Sequence, residues 1–152
     1  MENIIDRNAR DNFSELLRHL ASGQITNDQF EDSLPLNSKD PAVNAVFWNG
    51  AWMLYDDLRE YKLKGKYRLP KEAKHEIAKW ILFLKSDLPY EWPSVLWLNR
   101  FPGYIIHILT LGIAWIFTDY KLKKAGDIEA WPFIRLEDLE KEKNRANTIK
   151  TI

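Results

Sequence analysis

Apolar residues recur along much of this chain at intervals of three and four positions, which is the spacing of an amphipathic α-helix. This spacing predicts helices over residues 7–20, 71–84 and 136–147. Over residues 41–63 the apolar face continues for about six turns, and a second, aromatic stripe lies beside it. We expect this segment to be the central helix, packed between neighbours. No stretch alternates regularly, so any strands should be short and near residues 127–134.

Capping residues mark two further helix starts. Thr26 can cap a short helix that runs through about Leu34, and Gln29, three residues later, can close a capping box. Asp40 followed by Pro41 is a second strong start, because Pro is favoured at the first helical position. The pattern therefore predicts a mainly α-helical, single-domain bundle of five or six helices, with at most a minor pair of short strands.

The segment LRHLASGQITNDQFEDSL resembles the helical hairpin of the bacterial SHOCT (short C-terminal) domain, in which a small acidic and aromatic helix follows a glycine turn. Residues 16–34 carry this resemblance, and their N-terminal position departs from the usual place of that domain. The resemblance implies an interaction hairpin. We assign it to residues 7–34, within one helical domain that spans residues 1–152.

A wider resemblance covers residues 15–134. The stretches ITNDQFED, DPAVNAVFW, AWMLYDDLREYKLKGKYRL, ILFLKSDLPYEWP and DIEAWPF are similar to a family of small bacterial proteins of unknown function. The resemblance implies a bacterial, cytosolic setting, and it brings no catalytic residue or substrate with it.

Composition limits the chemistry. A chain of 152 residues suits one domain with a sizeable core. It has no cysteine, which excludes disulfides, thiolate metal sites and cysteine nucleophiles, and which fits a reducing compartment. Residues 1–18 lack the apolar stretch of a signal peptide, so we expect a cytoplasmic protein. The net charge is zero, yet residues 1–40 hold 8 acidic and 4 basic side chains, whereas residues 41–100 hold 10 basic and 7 acidic ones.

Residues 101–118 form a run of 18 without Asp, Glu, Lys or Arg. As a helix this run would be about 27 Å long, at the lower limit for crossing a bilayer. Pro102 and Gly103 shorten the usable helix. We expect a buried or surface-docked helix or hairpin here. The alternative is a membrane-associated segment that docks the protein peripherally on the inner membrane.

Three carboxylates are candidates for acid–base chemistry. Asp57 lies near the aromatic edge of the predicted central helix, and burial against a base would make it the most interesting acid in the chain. Asp87 and Glu91 lie in a segment rich in proline and aromatic residues, which is typical of both functional and structural loops. These residues support the hypothesis of an enzyme with a carboxylate-based site.

Four aromatic residues could wall a ligand pocket, although aromatic residues in a domain of this size more often form core. They are Tyr90, Trp92, Trp97 and Trp131.

The strongest local charge lies in residues 59–85, which hold nine basic and three acidic side chains. The candidate binding residues within it are Lys62, Lys64, Lys66 and Arg68. Such a patch suits an anionic membrane surface or the phosphates of nucleic acid. Because the whole chain has no basic excess, we consider a nucleic-acid partner the weaker hypothesis.

No motif indicates a metal or a cofactor. His75-Glu76 begins like a zinc-protease helix, but Lys79 stands where the second histidine would be needed. Glycine-rich phosphate loops, nucleophile elbows and dinucleotide fingerprints are not found in the sequence. We therefore expect neither a metal site nor a bound cofactor.

These observations favour a bacterial non-enzymatic interaction protein, an adaptor or immunity-type binder with a protein partner. The alternatives are a peripheral membrane protein that docks through residues 101–118 and an enzyme with a carboxylate-based site.

Overall fold

A computed structural model describes residues 4–93 and 123–151 of the chain, and these residues are mainly α-helical, as predicted. The helices are α1 (Arg7–Ala21), α2 (Asn27–Asp32), α3 (Pro41–Asn49), α4 (Lys71–Lys85) and α5 (Leu136–Thr151), with 3₁₀ turns at Ala51–Leu54, Gly65–Tyr67 and Ile128–Ala130. Within the described residues there is no β-sheet, and Thr26 and Lys62 form an isolated antiparallel bridge.

A capping side chain marks the start of helix α1, and a glycine follows its end. The carboxylate of Asp6 accepts a hydrogen bond from the backbone N–H of Ala9 at 3.0 Å and so caps the first turn. Gly23 follows the last turn with a φ of +67°, a left-handed conformation that glycine adopts without strain. The predicted helix over residues 7–20 is confirmed.

The predicted capping signals are also confirmed. Thr26 accepts from the backbone N–H of Gln29, and the Gln29 side chain accepts from the backbone N–H of Thr26, both at 3.1 Å. Asp40 accepts from the backbone N–H of Ala42 at 2.9 Å, and Pro41 occupies the first position of α3. Each helix start therefore satisfies backbone donors that would otherwise be left without partners.

The prediction of one helix over residues 41–63 is wrong, because α3 ends at Asn49. Gly50 leaves the helical conformation, with φ −137° and ψ −74°, and the chain continues in the 3₁₀ turn of residues 51–54. A Cβ atom at Gly50 would lie 2.8 Å from the ring of Trp80 on α4. The close approach of α4 to Gly50 therefore accompanies the end of α3.

The helices enclose two apolar clusters. The larger lies among α1, α2, α3 and α4, and its fully buried large side chains are Phe13, Leu17, Leu20, Phe30, Val43, Val46 and Leu84. The smaller joins α4 to the α5 region, and its buried members are Ala42, Phe83, Ala130, Phe133 and Leu139.

A buried ion pair joins three elements beside these clusters. Arg10 of α1 and Asp40 at the start of α3 have fully buried side chains, and Arg10 Nε donates to Asp40 Oδ2 at 2.6 Å. The same guanidinium donates to the backbone oxygen of Leu88 at 2.8 Å and lies over the ring of Phe83, 5.4 Å from its centroid. Arg10 thus connects α1, α3 and the segment after α4.

Candidate interaction surface

Large apolar side chains are exposed between the end of α3 and the loop after the first 3₁₀ turn. Trp48 and Trp52 are 39% and 40% exposed, Met53 is 73% exposed and Leu58 is 89% exposed. We call these four residues the aromatic surface. Exposed large apolar side chains are typical of a surface that contacts another molecule.

The two exposed indoles rest on the core. Phe47, which is buried, packs edge to face against Trp48 at a centroid distance of 4.8 Å and against Trp52 at 5.9 Å. The two tryptophans lie 5.6 Å apart. Because their rings are held by these contacts, a partner would bind them with little loss of side-chain entropy.

Tyr55 continues the same aromatic array toward α2. Its ring lies 6.4 Å from that of Trp52 and 5.9 Å from that of buried Phe30. Burial raises the pKa of Tyr55 above its ordinary value of 10, and the negative charge of Glu31 adds to the rise. The phenol therefore stays neutral and serves as a packing side chain.

The loop that carries Leu58 is fixed to the start of α2 by Asn27. The Asn27 side-chain amide donates to the backbone oxygens of Asp56 at 3.1 Å and Arg59 at 3.0 Å, and its oxygen accepts from the backbone N–H of Tyr61 at 2.8 Å. Asn27 is 1% exposed. A buried amide with three such bonds holds the loop in one conformation.

Residues 59–68, which we call the basic segment, follow directly. The rings of Tyr61 and Tyr67 lie 4.6 Å apart, Lys66 Nζ is 4.9 Å from the centroid of Tyr67, and the Arg59 guanidinium is 5.8 Å from it. These cation–π contacts order two of the cations on the surface.

The predicted basic candidates all lie in this segment and are all exposed: Lys62, Lys64, Lys66 and Arg68. None of these four forms an ion pair with another residue in the described part of the chain. Their charges are therefore available to a partner.

The structure does not bring the predicted carboxylates together. Asp57 is exposed in the loop fixed to α2, and Asp87, also exposed, pairs with Arg7 at 3.2 Å. The loop that carries Asp57 is bonded to Asn27 at the start of α2, whereas Asp87 is bonded to Arg7 at the start of α1, so the two acids are held by different elements. Glu91 is exposed in the segment after α4. Asp57 thus lacks the burial that would have marked it as a functional acid.

The predicted aromatic candidates differ in burial. Trp92 is buried, and its indole N–H donates to the backbone oxygen of Phe133 at 3.1 Å, so it is part of the core. Tyr90 and Trp131 are half-buried and meet, the Trp131 N–H lying 3.3 Å from the Tyr90 hydroxyl. Trp97 lies outside the described residues.

A shallow groove of about 640 Å³ follows the outer side of α4. Its lining residues are Lys71, Glu72, Lys74, His75, Glu76 and Ala78. His75 is exposed, and in residues 4–93 and 123–151 no group of three or more His, Asp or Glu side chains could hold a metal ion.

No helix in the described part of the chain is both long and apolar enough to cross a membrane. Residues 101–118, for which a buried or surface-docked helix or hairpin was predicted, with a membrane-associated segment as the alternative, lie outside that part.

Sequence reasoning missed Met53 and Leu58, because residues 41–63 were expected to form one buried helix. Two local features accompany these residues, although neither fixes the end of α3 by itself. Gly50 interrupts the helical pattern, and Leu58 directly follows two consecutive aspartates, Asp56 and Asp57, which favour solvent.

The fold and the surface together define a mainly α-helical protein with an exposed, rigid aromatic surface beside a basic segment. Comparison with known proteins found no matching family model, curated protein or solved structure.

Proposed function

We propose that this protein is a non-enzymatic interaction protein of the bacterial cytoplasm, an adaptor or immunity-type binder, and that its aromatic surface holds a protein partner. The observation that supports this proposal most strongly is the exposure of Met53 and Leu58 beside two ordered tryptophans. Trp is one of the residue types that dominate the binding energy of many protein interfaces, and the aromatic surface carries two Trp side chains. The absence of cysteine fits the proposed compartment.

The same surface favours a protein over the alternatives. An enzyme would need its acids in one place, and Asp57 and Asp87 are held by different elements. An anionic membrane would repel Asp56 and Asp57, which immediately precede the most exposed apolar side chain, Leu58. A protein interface tolerates both signs of charge in its rim.

Photo-crosslinking in living cells tests this proposal. A photo-reactive amino acid replaces Met53 in the full chain, expressed at its natural level. The control carries it at His19, an exposed position on α1. We expect a discrete protein adduct from position 53 and none of comparable yield from position 19. Equal yields from the two positions, or adducts with lipid or nucleic acid instead of protein, would contradict the proposal.

A further inference from the structure

We propose that the exposed indoles of Trp48 and Trp52 bind an arginine side chain of the protein partner, and that nearby carboxylates attract its guanidinium. This inference rests on the proposed protein-binding function and names the chemistry that the surface recognises. It is carried by the ring contacts of the aromatic array and by the charge of the elements that form it.

Ring contacts connect the two exposed tryptophans to α2. Trp48 lies 5.6 Å from Trp52, and Trp52 lies 6.4 Å from Tyr55 with an angle of 68° between the rings. Tyr55 in turn meets Phe30 of α2 edge to face at 5.9 Å. The exposed indoles are therefore joined by continuous contacts to the part of α2 that holds Phe30.

Two carboxylates lie beside Tyr55 in this array. Glu31 follows Phe30 on α2, and Asp57 lies in the loop that Asn27 fixes to the start of α2. Burial raises the pKa of Tyr55, and the negative charges of Glu31 and Asp57 add to that rise, as expected of acids close to its hydroxyl. Both acids therefore lie at the end of the array that Tyr55 forms.

These two acids lack a counter-ion among residues 4–93 and 123–151. Neither Glu31 nor Asp57 forms an ion pair there. Asp57 is exposed, and Glu31 is partly exposed, with its Oε1 atom buried and without a hydrogen-bond partner in the same residues. A cation that reaches the exposed side of such a carboxylate stabilises its charge.

The elements that form the array contain acids and no Lys or Arg. Helices α2 and α3 and residues 50–58 together hold five acids, which are Asp28, Glu31, Asp32, Asp56 and Asp57. The next base along the chain, Arg59, lies over the ring of Tyr67, and the Lys64 side chain packs against Gly23 in the turn before α2. Exposed indole faces among acids without counter-ions favour a cationic ligand.

Arginine suits this combination of groups. Its planar guanidinium stacks on an aromatic face and donates in its own plane to a carboxylate, so one side chain satisfies both features. Arg is also enriched, with Trp, among the residues that dominate binding at protein interfaces. The phosphates of a nucleic acid would instead be repelled by the five acids.

NMR titration of the isotope-labelled full chain with Nα-acetyl-arginine amide tests this inference. The matched ligand is Nα-acetyl-citrulline amide, because citrulline has nearly the shape of arginine and no charge. The indole N–H signals, assigned with Trp48→Phe and Trp52→Phe, should shift saturably with the arginine derivative. The citrulline derivative should bind at least about ten-fold more weakly, a difference of about 1.4 kcal/mol. Equal binding of the two compounds, or no shift of these signals, would overturn the inference.

Substitution of the carboxylates makes the test specific to the proposed contact. Glu31→Gln and Asp57→Asn should each weaken binding of the arginine derivative about two- to five-fold and leave the citrulline derivative unaffected. The control is Glu137→Gln, which alters an exposed acid in the first turn of α5 and should change neither. The other indole signals, at their wild-type positions, show that each variant is folded. An equal effect of Glu137→Gln, or no effect of the first two substitutions, would overturn the inference.

Phosphatidylcholine vesicles distinguish an arginine from a lipid headgroup, because that headgroup carries a quaternary ammonium. The vesicles should leave the signals of Trp48 and Trp52 in place. A shift or loss of these signals would assign the site to lipid and overturn the inference.

The outcomes separate this inference from the proposed function. If the arginine derivative does not bind and position 53 still gives a protein adduct in cells, the inference is overturned and the proposed function stands. If no protein adduct forms, the proposed function is contradicted, and the inference that rests on it falls as well.

Discussion

Arg10 shows how one residue can fix the arrangement of a small helical domain. A fully buried guanidinium is costly unless every donor finds an acceptor. Here Arg10 forms four hydrogen bonds: two to the carboxylate oxygens of Asp40, at 2.6 and 3.2 Å, and one each to the backbone oxygens of Ser86 and Leu88. The same Asp40 also caps α3 and accepts from the backbone N–H of Asp6. Loss of one partner would therefore disturb three elements at once.

Asp40→Asn should destabilise the protein by about 3–5 kcal/mol, because it leaves Arg10 buried without a counter-ion. Urea denaturation followed by circular dichroism measures the free energy of unfolding. The matched control is Asp87→Asn, which removes an acid that is 78% exposed from its pair with Arg7. That control should change stability by about 0–1 kcal/mol. Equal effects of the two substitutions would contradict the role assigned to the buried pair.

Asp6 makes stability depend on acid pH. Hydrogen bonds from the backbone of Ala9 and from the Ser38 hydroxyl hold the pKa of Asp6 below its ordinary value of 3.8. A depressed folded-state pKa adds stability above the unfolded pKa, and that stability is lost as pH falls from about 4 through the folded pKa. Asp11, whose pKa is lowered chiefly by Lys85, adds to the same loss.

Asp6→Asn should therefore flatten the fall of unfolding free energy between about pH 4 and pH 2. Unfolding titrations at several pH values measure this slope for both proteins. An unchanged slope in the Asn variant would show that Asp6 does not carry the dependence.

Among the elements, the connection from α3 to α4 departs most from sequence expectation. The capping residues Thr26 and Asp40 predicted helix starts correctly, because capping depends on side chains within three positions. The end of α3 could not be predicted in this way. It lies at Gly50, where Trp80, 30 positions away, packs against the backbone. The apolar residues after Gly50 keep helical spacing in the sequence, although the chain there forms a 3₁₀ turn and not a continuation of α3.

Gly50→Ala should destabilise the protein by about 1–3 kcal/mol through overpacking against Trp80. Trp80→Phe removes the ring atoms that the new Cβ would meet. The double variant should therefore be more stable than the sum of the two single changes predicts, by about 0.5–3 kcal/mol. Chemical denaturation of the four proteins completes the cycle. Gly65→Ala is the control for coupling: its φ of +56° makes the change destabilising by itself, but a Cβ there meets no atom within 4 Å, so it should show no coupling to Trp80.

The candidate surface was only partly predictable from sequence for a related reason. The basic segment was found, because a local excess of Lys and Arg is visible without a fold. The exposure of Trp52 and Met53 was not found in this way, because it depends on where α3 ends. The proposed acids Asp57 and Asp87 were chosen by residue type, and the structure places one in the loop bonded to Asn27 and pairs the other with Arg7.

At the scale of the whole molecule, a neutral chain divides its charge between two neighbouring regions. Acids gather on α2 and the loop fixed to it, and bases gather in the basic segment, with the aromatic surface beside them. Since these side chains are exposed, they add little to the stability of the fold and are available for recognition. The account therefore separates the residues that hold the fold from those that bind.

The most direct test measures the yield of protein adduct from a photo-reactive residue at position 58 in cells, with Met53 intact or changed to Asp. We predict an abundant adduct with Met53 intact and a yield at least about ten-fold lower with Met53→Asp. Leu136→Asp, which alters an apolar side chain that is 45% exposed at the start of α5, should preserve the yield. The free energy of unfolding of Met53→Asp should stay within about 0.5 kcal/mol of the wild type, since Met53 is 73% exposed. An unchanged adduct yield in a Met53→Asp variant that folds with wild-type stability would contradict the claim that the aromatic surface binds a protein.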